Sequence, residues 1–390
     1  MAQAALAFAL EFADTLPGRA ASPFSTRFER TGFEIGRDHA RYGLTPPADQ
    51  MLFGHPVRAG WDAGVPAFRR RTRRATTPVH QWLELRLQAW LRSAAFEDIQ
   101  VTPHLLSQIA AAQCPVTGER LTQGTGHPSD AVIERLNPQA AYAAGNLVAM
   151  SRRAQAARAG RDWHAALAQA HRIEGGEAEA IDGLTAEQWR RLAVLASFAT
   201  PLSHDEAAAL PLAVLPPNRV RVINPVQALQ VVLTLPFTRA DALPLLAPMA
   251  ALVPAHARPA FHVFMTTLLS RRVAGGQPWN GAAMAQAMQQ AWADPLVLRR
   301  WQRLALALTA AEAERLVQQL TARGLGGESV RCLDFMQATD GWGLADAPAA
   351  LRVAAVASRP AGSAVATRAR GPVPRLAPAA TGGSAAHRVE

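Results

Sequence analysis

Lysine is absent from this chain of 390 residues, so arginine accounts for all 40 residues of the Lys and Arg class. The guanidinium group presents its donors in a fork that matches phosphate and carboxylate oxygens. The charge is uneven: residues 1–175 hold 20 arginines against 15 acidic residues, residues 176–346 hold 14 against 14, and residues 347–390 hold six against one. The net charge of +10 therefore belongs to the first part of the chain and to its end.

Cysteine and long apolar runs are also scarce. Only Cys114 and Cys332 occur, far apart in the sequence, which excludes a disulfide framework and indicates a reducing compartment. The longest apolar stretch, residues 242–255, is interrupted by prolines and is too short to span a bilayer. The apolar start of the chain lacks a basic segment before it and contains acidic residues, so we do not expect secretion. These absences predict a soluble, cytoplasmic protein without a membrane association.

One stretch of the chain has an order of residues that suggests a particular fold. Residues 114–118 (CPVTG) form a knuckle pattern, because proline fixes φ and glycine supplies the turn that follows. Residues 131–136 are a short β-prone run that ends at an Asn-Pro turn signal, and residues 146–150 are a second run. Ser151 is a candidate N-cap for an Arg- and Ala-rich helix. The sequence therefore predicts a ββα unit.

This order resembles the HNH endonuclease superfamily over about residues 114–160. The members of that superfamily have Cys-x-x-Cys, a strand with Asp-His or Asp-Arg, a Gly-x-x-x-x-Asn-Leu turn, and a helix with a metal ligand. Glu134-Arg135 falls at the strand pair, Gly145-Asn146 at the turn, and Gln155 at the helix ligand. The resemblance implies a nucleic-acid substrate, catalytic positions at Glu134, Arg135 and Asn146, and Mg²⁺ or Mn²⁺ held by Glu134 and Gln155.

Several residues depart from the HNH pattern. Arg135 cannot accept a proton from water at ordinary pH. The amide oxygen of Gln155 is a weaker ligand than an imidazole or carboxylate, although Glu134 could hold Mg²⁺ through water. Thr117, Ser151 and Ala154 stand where three thiolates are needed beside Cys114, so we do not expect a structural zinc ion. The sequence predicts a unit that retains the fold and cuts poorly.

His127 is the candidate base for a rearranged site. It lies in a glycine-rich loop just before the first strand, and Asp130 could orient it toward a phosphate. The alternative is a solvated loop histidine, which we favour.

Five of six consecutive residues before a predicted helix are arginine, namely Arg69, Arg70, Arg71, Arg73 and Arg74, and they are called the arginine cluster below. Together with Arg152, Arg153 and Arg158 on the later helix, the cluster could form one basic surface that contacts phosphates. The alternative is a solvated charge run at a domain edge.

The remaining patterns are helical, with prolines in first helical turns and capping boxes at Thr185 and Thr309. The region between about residues 185 and 345 contains no glycine-rich phosphate loop, HExxH or GxSxG. We predict a mainly α protein, in which a ββα unit lies within an N-terminal α+β domain and an all-α domain and a disordered basic tail follow.

The predicted domain boundaries follow from these patterns. Residues 1–75 are an irregular basic region, 76–175 hold a helix and the ββα unit, 176–183 are a linker, 184–350 form the all-α domain, and 351–390 are the tail.

The leading functional hypothesis is a DNA-binding protein built on a degenerate HNH-like unit. Two alternatives stay open: a metal-dependent HNH-type nuclease with a rearranged site, and a non-enzymatic scaffold whose helical domain binds a partner protein.

Overall fold

The computed structural model describes residues 24–239, 242–274, 276, 281–325, 333 and 335–344. The described part of the chain is mainly helical, as predicted, and holds two strands. In chain order the elements are α1 (Arg27–Arg41), α2 (Pro56–Phe68), α3 (Thr77–Leu91), α4 (Pro103–Ile109), β1 (Ala131–Arg135), β2 (Leu147–Ser151), α5 (Arg152–Arg158), α6 (Trp163–Glu174), α7 (Ala186–Phe198), α8 (His204–Ala209), α9 (Pro225–Thr234), α10 (Leu246–Leu252), α11 (Arg258–Ala274), α12 (Gly281–Trp292), α13 (Pro295–Leu306), α14 (Ala310–Ala322) and α15 (Phe335–Ala338). The predicted tail lies outside the described residues.

Among the described residues, no helix is both long enough and apolar enough to cross a lipid bilayer.

The expectation of an irregular region before residue 75 is wrong for its described part, because α1 and α2 lie there. The two helices approach each other closely at two glycines. A Cβ atom at Gly36 would lie 1.8 Å from the carbonyl oxygen of Val57, and one at Gly60 would lie 1.8 Å from that of Phe33. Only glycine allows the backbones to approach so closely, so these residues serve helix packing.

The β1–β2 pair is antiparallel, with Glu134 opposite Val148 and Arg135 opposite Leu147. Because side chains alternate across a strand, the pair has two different faces. Leu147 packs in a cluster with Leu85 of α3, whereas Val148 packs in the core shared with Ala154 of α5. Ser151 is the N-cap of helix α5, and its hydroxyl accepts a hydrogen bond from the Ala154 amide. The predicted order of two strands and a helix is therefore present.

The predicted linker at residues 176–183 does not separate two hydrophobic cores. A single cluster of buried side chains includes Met150 of β2, Trp189 of α7 and Trp301 of α13. Helices α6 and α7, which flank the linker, pack against each other. The residues of the two predicted domains thus share one core.

A segment near the end of the described chain, residues 335–344, returns to the loop between β1 and β2. Trp342 is fully buried there, and its indole Nε1 donates a 3.0 Å hydrogen bond to the carbonyl oxygen of Ala144. The amide of Ala141 donates a 2.8 Å bond to the Trp342 carbonyl oxygen. The ββα unit is therefore held on several sides: by α3, by the helical core and by this returning segment.

Candidate functional site

The candidate site of the ββα unit lies between β1 and α5. Nε2 of Gln155 donates a 2.8 Å hydrogen bond to Oε2 of Glu134, and Nη1 of Arg158 lies 4.0 Å from Oε1 of the same carboxylate. The structure thus brings together the two positions that the sequence assigned to a metal ion. The space beside the carboxylate is occupied by an amide and a guanidinium group of the protein.

Arg158 is buried and is not part of an exposed basic surface, which corrects its predicted role in phosphate contact. Its guanidinium group donates to the carbonyl oxygens of Arg135 and Leu136, where β1 ends, the second of these bonds being 2.5 Å long. Burial lowers the pKa of Arg158, and the Glu134 carboxylate opposes that shift. The spacing in the sequence could have indicated that Arg158 lies near Glu134, because a residue three positions after Gln155 lies on the same side of a helix.

Arg135 points to the other face of the β1–β2 pair. Its Nη1 donates a 2.9 Å hydrogen bond to the Ala140 carbonyl oxygen, and its guanidinium carbon lies 4.4 Å from the ring centre of Tyr142. The Tyr142 hydroxyl in turn accepts a 3.0 Å bond from Arg92. Arg135 and Glu134 therefore do not face a common reaction space.

Asn146 is fully buried and clamps the loop between the strands. Its Oδ1 accepts from the Asn137 amide at 2.8 Å, and its Nδ2 donates to the carbonyl oxygens of Asn137 and Ala141 at 3.0 and 2.9 Å. All these bonds are to the backbone, so the side chain holds the turn rather than facing solvent.

The four positions aligned with a zinc site in the resemblance converge around Cys114. The buried Sγ of Cys114 accepts from the Ser151 amide at 3.3 Å, from the Ser151 hydroxyl at 3.4 Å and from the Thr117 amide at 3.5 Å. The Ala154 amide donates to the same Ser151 hydroxyl at 3.3 Å. A small hydrogen-bonded cluster thus joins the knuckle to the start of α5.

His127 is exposed and is oriented by Ser129, not by Asp130. Its Nδ1 lies 2.8 Å from the Ser129 hydroxyl. The Asp130 carboxylate instead accepts 2.7 Å hydrogen bonds from both the Thr125 hydroxyl and the Thr122 hydroxyl, and one of 2.7 Å from the Gly126 amide. These bonds lower the pKa of Asp130 to about 2. The His127–Asp130 pair is therefore not formed, His127 is an exposed loop histidine as in the favoured interpretation, and Asp130 stabilises the loop.

The arginine cluster is exposed along its whole length. Residues Arg69–Arg71 form a short 3₁₀ turn after α2, and the Arg73 amide bonds to the Arg41 carbonyl oxygen at 2.9 Å. Within the described residues, none of the five guanidinium groups of the cluster forms an ion pair or a hydrogen bond.

The two remaining arginines of the predicted surface differ from each other. Arg152 is exposed, at the first position of α5. Arg153 is half-buried and forms a 2.6 Å ion pair with Glu119. Arg152 is therefore free to contact a ligand, whereas Arg153 is partly neutralised by its neighbour.

Across the part of the chain that the structure describes, no three His, Cys, Asp or Glu side chains come together in a way that could hold a metal ion. No known protein family, curated protein or solved structure matches this chain.

Proposed function

We propose that the protein binds nucleic acid through an HNH-like ββα unit and its basic flank, and that it does not cleave efficiently. The observation that carries this proposal is the arginine cluster. The five exposed cations, which have no carboxylate partner in the part of the chain that the structure describes, repel one another, so an approaching polyanion is attracted and releases its bound counterions on binding.

Helix α3 connects the cluster to the ββα unit. It begins at Thr77, just after the cluster, and its Leu85 and Ala89 pack with Leu147 of β2. With a rise of about 1.5 Å per residue, eight residues of helix span about 12 Å. The cluster is therefore fixed to the unit through a buried helix, not through a free linker.

The geometry around Glu134 supports binding without cleavage. Hydrolysis of a phosphodiester in such a site needs a metal ion against the carboxylate and a base facing the same space. The Glu134 carboxylate is bound by Gln155 and faces the buried Arg158, and Arg135 lies on the opposite face of the strands. A metal ion would have to displace charged and hydrogen-bonded protein groups.

Fluorescence anisotropy with a labelled DNA duplex tests the proposal. In one variant the five arginines of the cluster are replaced by glutamine. The matched control replaces five exposed arginines elsewhere by glutamine and so changes the net charge equally: Arg219, Arg299, Arg303, Arg315 and Arg323. We expect the cluster variant to bind at least about tenfold more weakly than the control.

DNA binding at low salt and a plasmid-nicking assay separate the alternatives. Absence of any retention on DNA at low salt would contradict the proposal and favour a protein-binding scaffold. Nicking of supercoiled plasmid with Mg²⁺ or Mn²⁺, abolished by Glu134→Ala together with His127→Ala, would instead favour a nuclease with a rearranged site.

A further inference from the structure

A groove between α11 and α13 contains the features of an anion site that is separate from the ββα unit. The groove is open to solvent and has a volume of about 380 Å³. Its lining includes two guanidinium groups, those of Arg271 and Arg300, and the hydroxyl-bearing Thr266 and Ser270. Two cations in one concave space attract an anion more strongly than the same cations on a convex surface, because the low-dielectric walls concentrate their field.

Arg300 has no carboxylate partner among the described residues. Its guanidinium group donates to the hydroxyl of Thr267, and that hydroxyl donates its own proton to the Val263 carbonyl oxygen at 2.7 Å. The half-buried guanidinium group of Arg300 is therefore hydrogen-bonded to a neutral hydroxyl oxygen. A charged group that is partly removed from water and lacks a counter-charge gains most from a bound anion.

Arg271 is oriented by Asp294. The Nε of Arg271 donates a 2.8 Å bond to Oδ2 of Asp294, and Oδ1 of Asp294 accepts from the Leu296 and Val297 amides at the start of α13. Asp294 fixes the position of one guanidinium group and neutralises one of the two positive charges. The net charge of the groove lining is then +1, and the terminal nitrogens of Arg271 form no bond to any residue that the structure describes.

The cationic groove continues into an apolar one. The adjoining cavity, of about 550 Å³, shares Thr266 and Ser270 with the first and is lined on its far side by Leu246, Leu269 and Val273. Val273 is 53% exposed, so apolar surface remains open to water here. A purely ionic ligand such as inorganic phosphate would leave this end uncovered.

We propose that this groove binds a small organic anion with a phosphate or carboxylate at one end and a short apolar chain at the other. The anionic group lies between Arg300 and Arg271 and accepts hydrogen bonds from both. The apolar chain covers Leu246, Leu269 and Val273. This site is independent of the proposed nucleic-acid binding, because it uses none of the residues of the arginine cluster or of the ββα unit.

Titration calorimetry of the full chain with octyl phosphate tests the site, with octanoate, inorganic phosphate and octanol as comparison probes. We expect saturable binding of octyl phosphate or octanoate. Inorganic phosphate lacks the apolar chain and octanol lacks the anionic group, so both should bind at least about tenfold more weakly. Arg300→Gln should weaken binding of the anionic amphiphile by about tenfold or more, since a charge-assisted hydrogen bond is lost.

Arg299→Gln is the matched control, because Arg299 is the preceding residue of the same helix, is exposed and does not line the groove. Its affinity for octyl phosphate should stay within about twofold of the unmodified protein. Arg271→Gln provides a second variant if Arg300→Gln unfolds, as judged by circular dichroism. Absence of saturable binding to the unmodified chain, or equal losses in the Arg299 and Arg300 variants, would overturn the proposal. DNA affinity is expected to be unchanged in all three variants, which keeps this test separate from that of the proposed function.

Discussion

The side chain of Gln155 lies 2.8 Å from the carboxylate of Glu134, at the two positions where the HNH resemblance implies a metal ion. An amide nitrogen donates where a cation would bind, and Arg158 supplies positive charge on the other oxygen of the same carboxylate. The protein thus compensates Glu134 with its own groups. We expect that arrangement to stabilise the ββα unit and to disfavour metal binding, since an ion would have to break these contacts.

Arg158→Met should strongly destabilise the protein. The substitution removes hydrogen bonds to two backbone carbonyl oxygens and leaves Glu134 without its cation. Removing one partner of a buried ion pair lowers the free energy of unfolding by about 3 kcal/mol or more. Urea unfolding followed by circular dichroism measures this. Arg152→Met is the control, because Arg152 is exposed on the same helix and should change stability by less than about 0.5 kcal/mol.

Asn146→Ala should destabilise the loop between the strands by about 2–4 kcal/mol, because backbone groups of Asn137 and Ala141 lose their buried partner. Thermal unfolding of this variant can be compared with Asn218→Ala, which changes an exposed asparagine. Equal melting temperatures for the two variants would show that Asn146 does not clamp the turn.

Restoring thiolates should create a zinc site. The hydroxyl of Ser151 lies 3.4 Å from Sγ of Cys114, and Thr117 and Ala154 donate their backbone amides within the same cluster. A Thr117→Cys/Ser151→Cys/Ala154→Cys variant is therefore expected to bind one Zn²⁺ per chain. When Co²⁺ replaces Zn²⁺, the absorption spectrum should be that of a metal–thiolate complex. The control carries the same three substitutions together with Cys114→Ser. A folded variant that takes up no more metal than this control would contradict the alignment of these positions with a zinc knuckle.

Asp130 should contribute to stability in a defined pH range. Its pKa in the folded protein is about 2, lowered by hydrogen bonds from Thr125 and Thr122, whereas an unfolded aspartate titrates near 3.9. The stabilising contribution is complete above the unfolded value and is lost as pH falls toward 2. Asp130→Asn should therefore flatten the decline in stability between about pH 4 and pH 2. If the free energy of unfolding falls equally steeply with pH in the unmodified protein and in the Asp130→Asn variant, Asp130 does not have this role.

The sequence predicted the parts of the fold that depend on local interactions. The caps predicted at Ser151, Thr185 and Thr309 accept the expected backbone hydrogen bonds. Both strands lie within one residue of the predicted runs, and α5 follows directly after Ser151, although it ends at Arg158 and α6 is a separate helix. These features follow from residues within a few positions of one another, so a single sequence contains the information.

The misassigned parts depend on contacts between distant residues. Helices α1 and α2 lie in the region predicted to be irregular, and the absence of a Cβ atom at Gly36 and Gly60 becomes a packing requirement only because the neighbouring helix lies so close. Arg158 looks like a phosphate ligand on a basic helix, but its guanidinium group is buried against the end of β1. The bonds from threonine hydroxyls to Asp130, which the sequence did not indicate, depend on the path of an entire loop.

The most direct test of the central claim is the salt dependence of DNA affinity. Each phosphate neutralised on B-DNA contributes about −0.9 to the slope of log K against log salt concentration. We predict that replacing the five arginines of the cluster by glutamine makes this slope shallower by about three to five, while the charge-matched control keeps nearly the slope of the unmodified protein. Identical slopes for the cluster variant and the unmodified protein would show that the cluster does not contact phosphates, and would contradict the account.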